Sequence, residues 1–174
     1  MNVTRDGIAV AVGAVVAVLL QVVVAPNIAL FGAMPNFVVA YALLVAIVRP
    51  MAAGPVMPFV LGLVFDRVSG GPVGAMAFLL VLMTFLAARA FAVLDNDTLF
   101  MPLVILVVST LVVELFYAVF LMGTGFSAGP LDVFLYRALP CALYDCVVAL
   151  VMFPLALRFL ASRDPQQPGK PRLR

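Results

Sequence analysis

Long apolar runs broken by short polar punctuation organise this chain, and their lengths suit membrane-crossing helices. The first run, Gly7 to Ala25, follows Arg5 and is closed by Pro26. It is longer than the apolar core of a secretion signal, and a proline follows its only small-residue cleavage position, so it reads as a retained first span. Pro26 to Pro35 is a turn-rich connection. Asn36 to Val48 is apolar, Arg49-Pro50 interrupts, and Met51 to Phe65 is apolar again. As one helix this stretch would be about 45 Å long, too long for one upright span and short for two. Asp66 to Pro72 reads as a loop, Val73 to about Ala88 as a fourth span, and Arg89 to Thr98 as a polar connection. Asp95-Asn96-Asp97-Thr98 offers an N-cap for a fifth span, Leu99 to Met122, with Pro102 in its tolerant first turn. After the flexible segment Gly123 to Pro130, Leu131 to Arg137 reads as a short interfacial helix. A last span starts or bends at Pro140 and ends near Leu160.

Charge decides the span count. The tail carries Arg158, Arg163, Lys170, Arg172 and Arg174, and Arg5 precedes the first run. Basic residues stay on the cytoplasmic side, so both termini are expected there, which requires an even number of spans. Treating Arg49-Pro50 as a tight cytoplasmic turn gives six, with spans two and three short, tilted or proline-bent. Arg5, Arg49, Arg89 and Arg158 then lie inside, Arg67 and Arg137 outside. The expected architecture is all-α and polytopic: residues 1–161 form six transmembrane helices, and 162–174 form a disordered basic cytoplasmic tail that touches anionic lipid.

Composition agrees. Of 174 residues, 66% are hydrophobic and 10% charged, against about 25% charged in soluble domains. A soluble fold of this length has too little interior for so much apolar surface, so the bilayer serves as its solvent. A net charge of +2, placed mostly at one end, does not suit a nucleic-acid partner. Histidine is absent and Cys141 and Cys146 are the only cysteines, so no usual metal or haem site can be assembled and no cofactor is expected. Five residues apart on a helix, the two thiols point about 140° away from each other and read as packing residues.

Ala9, Gly13, Ala17 and Gln21 recur every fourth residue and form a small stripe ending in an amide. Gly74, Ala77, Val81, Thr84 and Ala88 form a second. Such faces let helices approach closely in lipid. Charges inside spans are costly and therefore candidates for function. Glu114 lies deep in span five, Asp145 lies beyond Pro140 in span six, and Asp66 closes span three. Arg137 and Arg67 are the basic partners within reach. Two readings stay open: a polar interior or groove that binds a partner or ligand, or acids that pair with these arginines or with Tyr117 and Tyr144 and lock the bundle. Paired carboxylates also occur in glycoside hydrolysis, but no base, metal cluster or phosphate-cradling loop accompanies them. Gly70-Gly71-Pro72-Val73-Gly74 is a span-starting turn and not a nucleotide motif. The expected protein is not an enzyme.

Three motifs carry a family resemblance. Pro35-Asn36-Phe37 opens the second span. Gly62-Leu63-Val64-Phe65-Asp66 is followed by Gly70-Gly71-Pro72-Val73-Gly74. Leu139-Pro140-Cys141-Ala142-Leu143-Tyr144-Asp145 stands in the last span, with Asp145 where asparagine is usual. In this order, with the length, the early Gln21 and the basic tail, the chain resembles the MreD family over nearly its whole length. The resemblance implies a fold similar to the six-helix substrate-binding subunits of energy-coupling-factor vitamin transporters. It also implies a binding role: direct contact with MreC and, through it, with MreB, RodA and a class B penicillin-binding protein in cell elongation. The polar set would be Asp66, Glu114, Arg137, Asp145 and Gln21; the packing set would be Gly13, Ala17, Gly62, Gly74 and Pro140. The alternative is a vitamin transporter's substrate-binding subunit, which needs a deep polar and aromatic pocket; tryptophan is absent here and the external loops are short and mostly apolar.

Overall fold

The computed structural model describes residues 3–30, 32–49, 54–93, 100–124 and 129–160. Among these, every element is helical apart from one bridged pair, Leu30 with Ala33. The expected tail, 162–174, and the turn residues Pro50 to Ala53 lie outside the described residues. The helices are α1 (Val3–Leu19), α2 (Phe37–Val48), α3 (Val56–Ser69), α4 (Ala75–Val93), α5 (Phe100–Gly123), α6 (Pro130–Val133) and α7 (Leu139–Leu160). Four helical stretches are long and apolar enough to cross a membrane: Gly7–Ile28, Ala75–Val93, Phe100–Gly123 and Leu131–Leu160.

The bundle is built around α2. Phe37 to Ile47 are all buried, because α1, α3, α4, α5 and α7 all pack against this helix. A helix hydrophobic all round belongs in a core. At 12 residues it is about 18 Å long and cannot cross a hydrocarbon layer of about 30 Å. Thus α2 and α3 are separate helices, not one kinked rod, and both are shorter than a full span. The outward face of α1 (Ile8, Val12, Val15, Val16, Leu19) and that of α7 (Leu143, Val147, Val151, Leu155, Phe159) are apolar and exposed. In water a patch of this extent would drive aggregation; here it faces lipid.

Two small-residue sites bring helices together. A Cβ on Gly13 would run into the Tyr41 ring of α2, and the Tyr41 hydroxyl donates to the Val10 carbonyl at 2.7 Å. A Cβ on Gly62 would run into the Ala77 backbone, so α3 meets α4 at van der Waals distance there. Ala17 is buried and lines the groove between α1 and α7. The small stripes are therefore spent largely on contacts within the chain. Gly74 differs from the packing role expected for it: nothing lies near its Cβ position, and its φ of 96° is what the turn requires.

Three further details differ from the sequence reading. First, α3 continues through Asp66 to Ser69 and ends at Gly70 with φ 66°, so Asp66 is a buried helical residue and not part of a loop. Second, the expected interfacial helix is not separate: α6, a π turn at Phe134–Ala138 and α7 run on as one rod. Third, Pro140 does not break that rod. The π turn places the Leu139 N–H on the Phe134 carbonyl, five residues back, immediately before the proline. The same device recurs at Leu20–Val24, where the Ala25 N–H bonds the Leu20 carbonyl just before Pro26. A proline clashes with the carbonyl four residues earlier and has no N–H to give. A local widening of the helix accommodates both faults.

Gly62→Val should lower the thermal unfolding midpoint of the detergent-purified protein, by about 1–3 kcal/mol of overpacking strain. Gly7→Ala, whose Cβ meets nothing, should leave it unchanged or slightly raised. Circular dichroism melts check both.

Candidate functional site

A helix that begins inside a membrane exposes N–H groups that have no water to bond, and each left unmet costs several kcal/mol. The start of α2 is buried within the bundle, where water is equally scarce, and four side chains gather on it. Asn36 is its N-cap: its side-chain oxygen accepts from the Val39 N–H at 3.1 Å. The Asn36 N–H itself donates to Oδ1 of Asp145 at 2.6 Å, and its side-chain amide donates to Oε1 of Glu114 at 3.5 Å. Gln21, from the first π turn, clasps the approach: its amide donates to the Pro35 carbonyl at 3.2 Å while its oxygen accepts from the Phe37 N–H at 2.8 Å. Three distant parts of the chain, Gln21, Glu114 and Asp145, thus converge on one tripeptide, Pro35-Asn36-Phe37. The positive end of the α2 dipole faces both carboxyl groups.

The acids are deeply placed. Asp145 is fully buried and Glu114 nearly so. Glu114 stands about 14 Å from the Gly123 end of α5 at the helical rise. The two carboxyls are neighbours within hydrogen-bonding reach of each other. Glu114 lines a cavity of about 290 Å³ together with Gln21, Asn36, Tyr117, Arg137 and Cys141. Asp145 lies one helical turn beyond Cys141, beneath the lining. Apolar contributions come from Phe65, Val68 and Leu121, and Gly70 and Gly71 from the α3–α4 turn close another wall.

The structure separates the expected polar set. Gln21, Glu114 and Arg137 border the cavity and Asp145 backs it. Asp66 does other work. Its Oδ2 accepts from the Gly74 N–H at 2.7 Å and its Oδ1 from the Met76 N–H at 3.1 Å, so it caps the start of α4 from the end of α3. Neither tyrosine serves the acids. Tyr144 donates to the Ile28 carbonyl at 2.8 Å, and the Tyr117 hydroxyl lies 3.4 Å from the Ser69 hydroxyl. At the opposite end of the bundle, the Arg49 guanidinium donates to the Leu160 carbonyl and caps α7. Asn36, the hub, was not among the residues singled out for a site. Its signal was present: an asparagine between a proline and a long apolar run is an N-cap pattern. Among the described residues no group of three metal-ligating side chains occurs.

These features define a class: a multi-pass helical membrane protein with a buried, fully helical centre and a polar cavity at one end. The scan against family models extends the identification. The model for rod shape-determining protein MreD matches residues 5–163, and the chain belongs to that family. Searches of curated proteins and of solved structures found no match.

Removing the cap should be felt across the cluster. Asn36→Ala loses the capping bond to the Val39 N–H and strands one carboxyl acceptor, Oε1 of Glu114, while the backbone N–H to Asp145 is kept, a cost of about 1–3 kcal/mol. Asn36→Ala and Glu114→Ala combined should fall short of additivity by about 0.5–3 kcal/mol, because the two side chains share a bond. Unfolding of the single and double variants in one detergent measures this; strict additivity would separate the two residues.

Proposed function

We propose that this chain is a non-enzymatic scaffold subunit of the bacterial elongation machinery that binds MreC directly and, through it, joins MreB, RodA and a class B penicillin-binding protein to organise lateral wall synthesis. Family membership over residues 5–163 carries the reading. On this reading both termini face the cytoplasm and the cavity faces the periplasm, in keeping with the positive-inside distribution of arginines. A fold like that of the vitamin-transporter subunits belongs to the same reading, and the six helical rods among the described residues are compatible with it.

The surface offered to a partner helix is the groove between α1 and α7. It is about 530 Å³ in volume, and Val12, Val16, Ala17, Leu155, Ala156 and Phe159 are among its lining residues. Its walls are apolar, and Ala9 and Gly13 keep one side low enough for a helix to lie close. Asp66 supports the complex indirectly by holding the α3–α4 hairpin.

Tagged protein purified from its native membrane should bring MreC with it. Val16→Trp, inside the groove, should reduce that recovery, whereas Phe78→Trp on the exposed face of α4 should not. Asp66→Ala should weaken complex formation more than deletion of residues 162–174. Undiminished recovery of MreC with both Val16→Trp and Asp66→Ala would sink the docking model.

A further inference from the structure

Two carboxyl groups meet under the start of α2, and one hydrogen atom is missing from the bonds around them. Asp145 is fully buried. Its Oδ1 accepts the Asn36 N–H at 2.6 Å, and no donor among the described residues reaches its Oδ2. The neighbouring group is the Glu114 carboxyl, within hydrogen-bonding reach, and Oε1 of Glu114 accepts from the Asn36 amide at 3.5 Å. Ionised carboxylates only accept. Two of them could make no bond to each other, and a buried charge without a donor is among the costliest features a fold can hold.

One proton removes both faults. With a proton on Oδ2, Asp145 donates to Glu114 and carries no charge, as adjacent carboxyl groups elsewhere share a single proton. The remaining charges then balance: Glu114 lines the cavity as an anion, and Arg137 in the same lining acts on it as the cation. The other ionisable groups that face the pair are the Cys141 and Cys146 thiols of α7 and the Tyr117 phenol of α5, all uncharged at neutral pH. Tyr41 of α2 is turned to the Val10 carbonyl, and Asp66 of α3 is held by the Gly74 and Met76 N–H groups. Asp132 and Tyr136, before α7, are exposed.

We infer that Asp145 is a neutral acid in the folded bundle, and that its proton, donated to Glu114, is a latch on the start of α2 that is released through the cavity. The latch acts through Asn36, whose N–H rests on Asp145 and whose amide rests on Glu114 while its oxygen caps α2. Loss of the proton sets two like charges side by side beneath the cap. The anchoring of the central helix then follows the acidity of the compartment that reaches Glu114. This device is separate from the groove between α1 and α7 and stands or falls independently of partner docking.

Infrared spectroscopy of the full chain in lipid nanodiscs reads the proton directly, because a protonated carboxyl absorbs apart from a carboxylate. At neutral pH the wild type should show a protonated-carboxyl band that Asp145→Asn removes and Glu114→Gln leaves in place. The asparagine amide keeps the shape and still donates to Glu114, but it cannot ionise. Raising the pH should abolish the band in the wild type. Hydrogen exchange at the Asn36 and Val39 amides should quicken over the same range beyond the intrinsic rise, and in Asp145→Asn it should follow the intrinsic rise alone. The inference is overturned if the wild type has no such band at neutral pH, if the band survives Asp145→Asn, if it persists at every pH the fold withstands, or if exchange in the two proteins stays parallel while the band disappears.

Discussion

The central helix is too short to cross a bilayer and starts in the buried interior of the bundle, and that constraint explains most of the polar chemistry in the chain. A spanning helix ends in the headgroup region, where water meets its free N–H groups. Helix α2, with 12 residues, starts at a buried Asn36, where an unmet N–H would be costly. Its cap must come from protein, and the protein must bring it from far along the sequence: Gln21 from the first rod, Glu114 from α5, Asp145 from α7. Each of those side chains sits at a depth where it would be costly if left alone. Together with the helix end they compensate one another. The buried acids and the short helix are therefore one feature seen from two sides.

The two π turns belong to the same logic. Prolines after Ala25 and Leu139 would each interrupt a long rod, and a widened turn directly before each absorbs the fault. Gln21 lies inside the first widened turn and Arg137 inside the second. A π turn rotates the residues that follow relative to those before it. In this way the chain places polar side chains on the cavity side of rods that are otherwise apolar and lipid-facing. The α3–α4 hairpin is the complementary case. There the close approach at Gly62, the two left-handed glycines and the carboxylate cap from Asp66 make a rigid corner. That corner supplies Ser69, Gly70 and Gly71 to the cavity wall.

How much of this was legible depended on whether the signal was local. The apolar runs, the break at Arg49-Pro50 and the start at Pro35-Asn36-Phe37 follow from hydropathy and capping chemistry within a few residues, and the helices begin and end close to where those signals lie. The family resemblance was legible as well, since its motifs are the corner and the cap themselves. What was not legible was partnership. Nothing near Asp66 in sequence says that it will serve Gly74 and Met76 instead of Arg67. Nothing near Asp145 says that its partner is a backbone N–H 109 residues away. Pro140 misled for a related reason: a proline after an apolar segment reads as a boundary, and only the helix register in three dimensions shows that a π turn has made room for it.

The distribution of small residues carries a consequence for recognition in the membrane. In lipid there is no hydrophobic force between helices, so association depends on close packing and on the few polar groups that can cross an interface. This chain spends Gly62 and Ala77 on its own α3–α4 contact, and Gly13 on Tyr41. The outer faces left over are dominated by valine, leucine and phenylalanine, which pack well against almost any helix and discriminate poorly. Selectivity must then come from concave shape or from the ends of the bundle. The groove between α1 and α7 supplies the first, because there Ala9 and Gly13 are not fully covered. The cavity above Asn36 supplies the second, because it is where polar side chains reach the surface of an otherwise apolar body. A partner that engaged both would be read by shape within the bilayer and by charge at its edge.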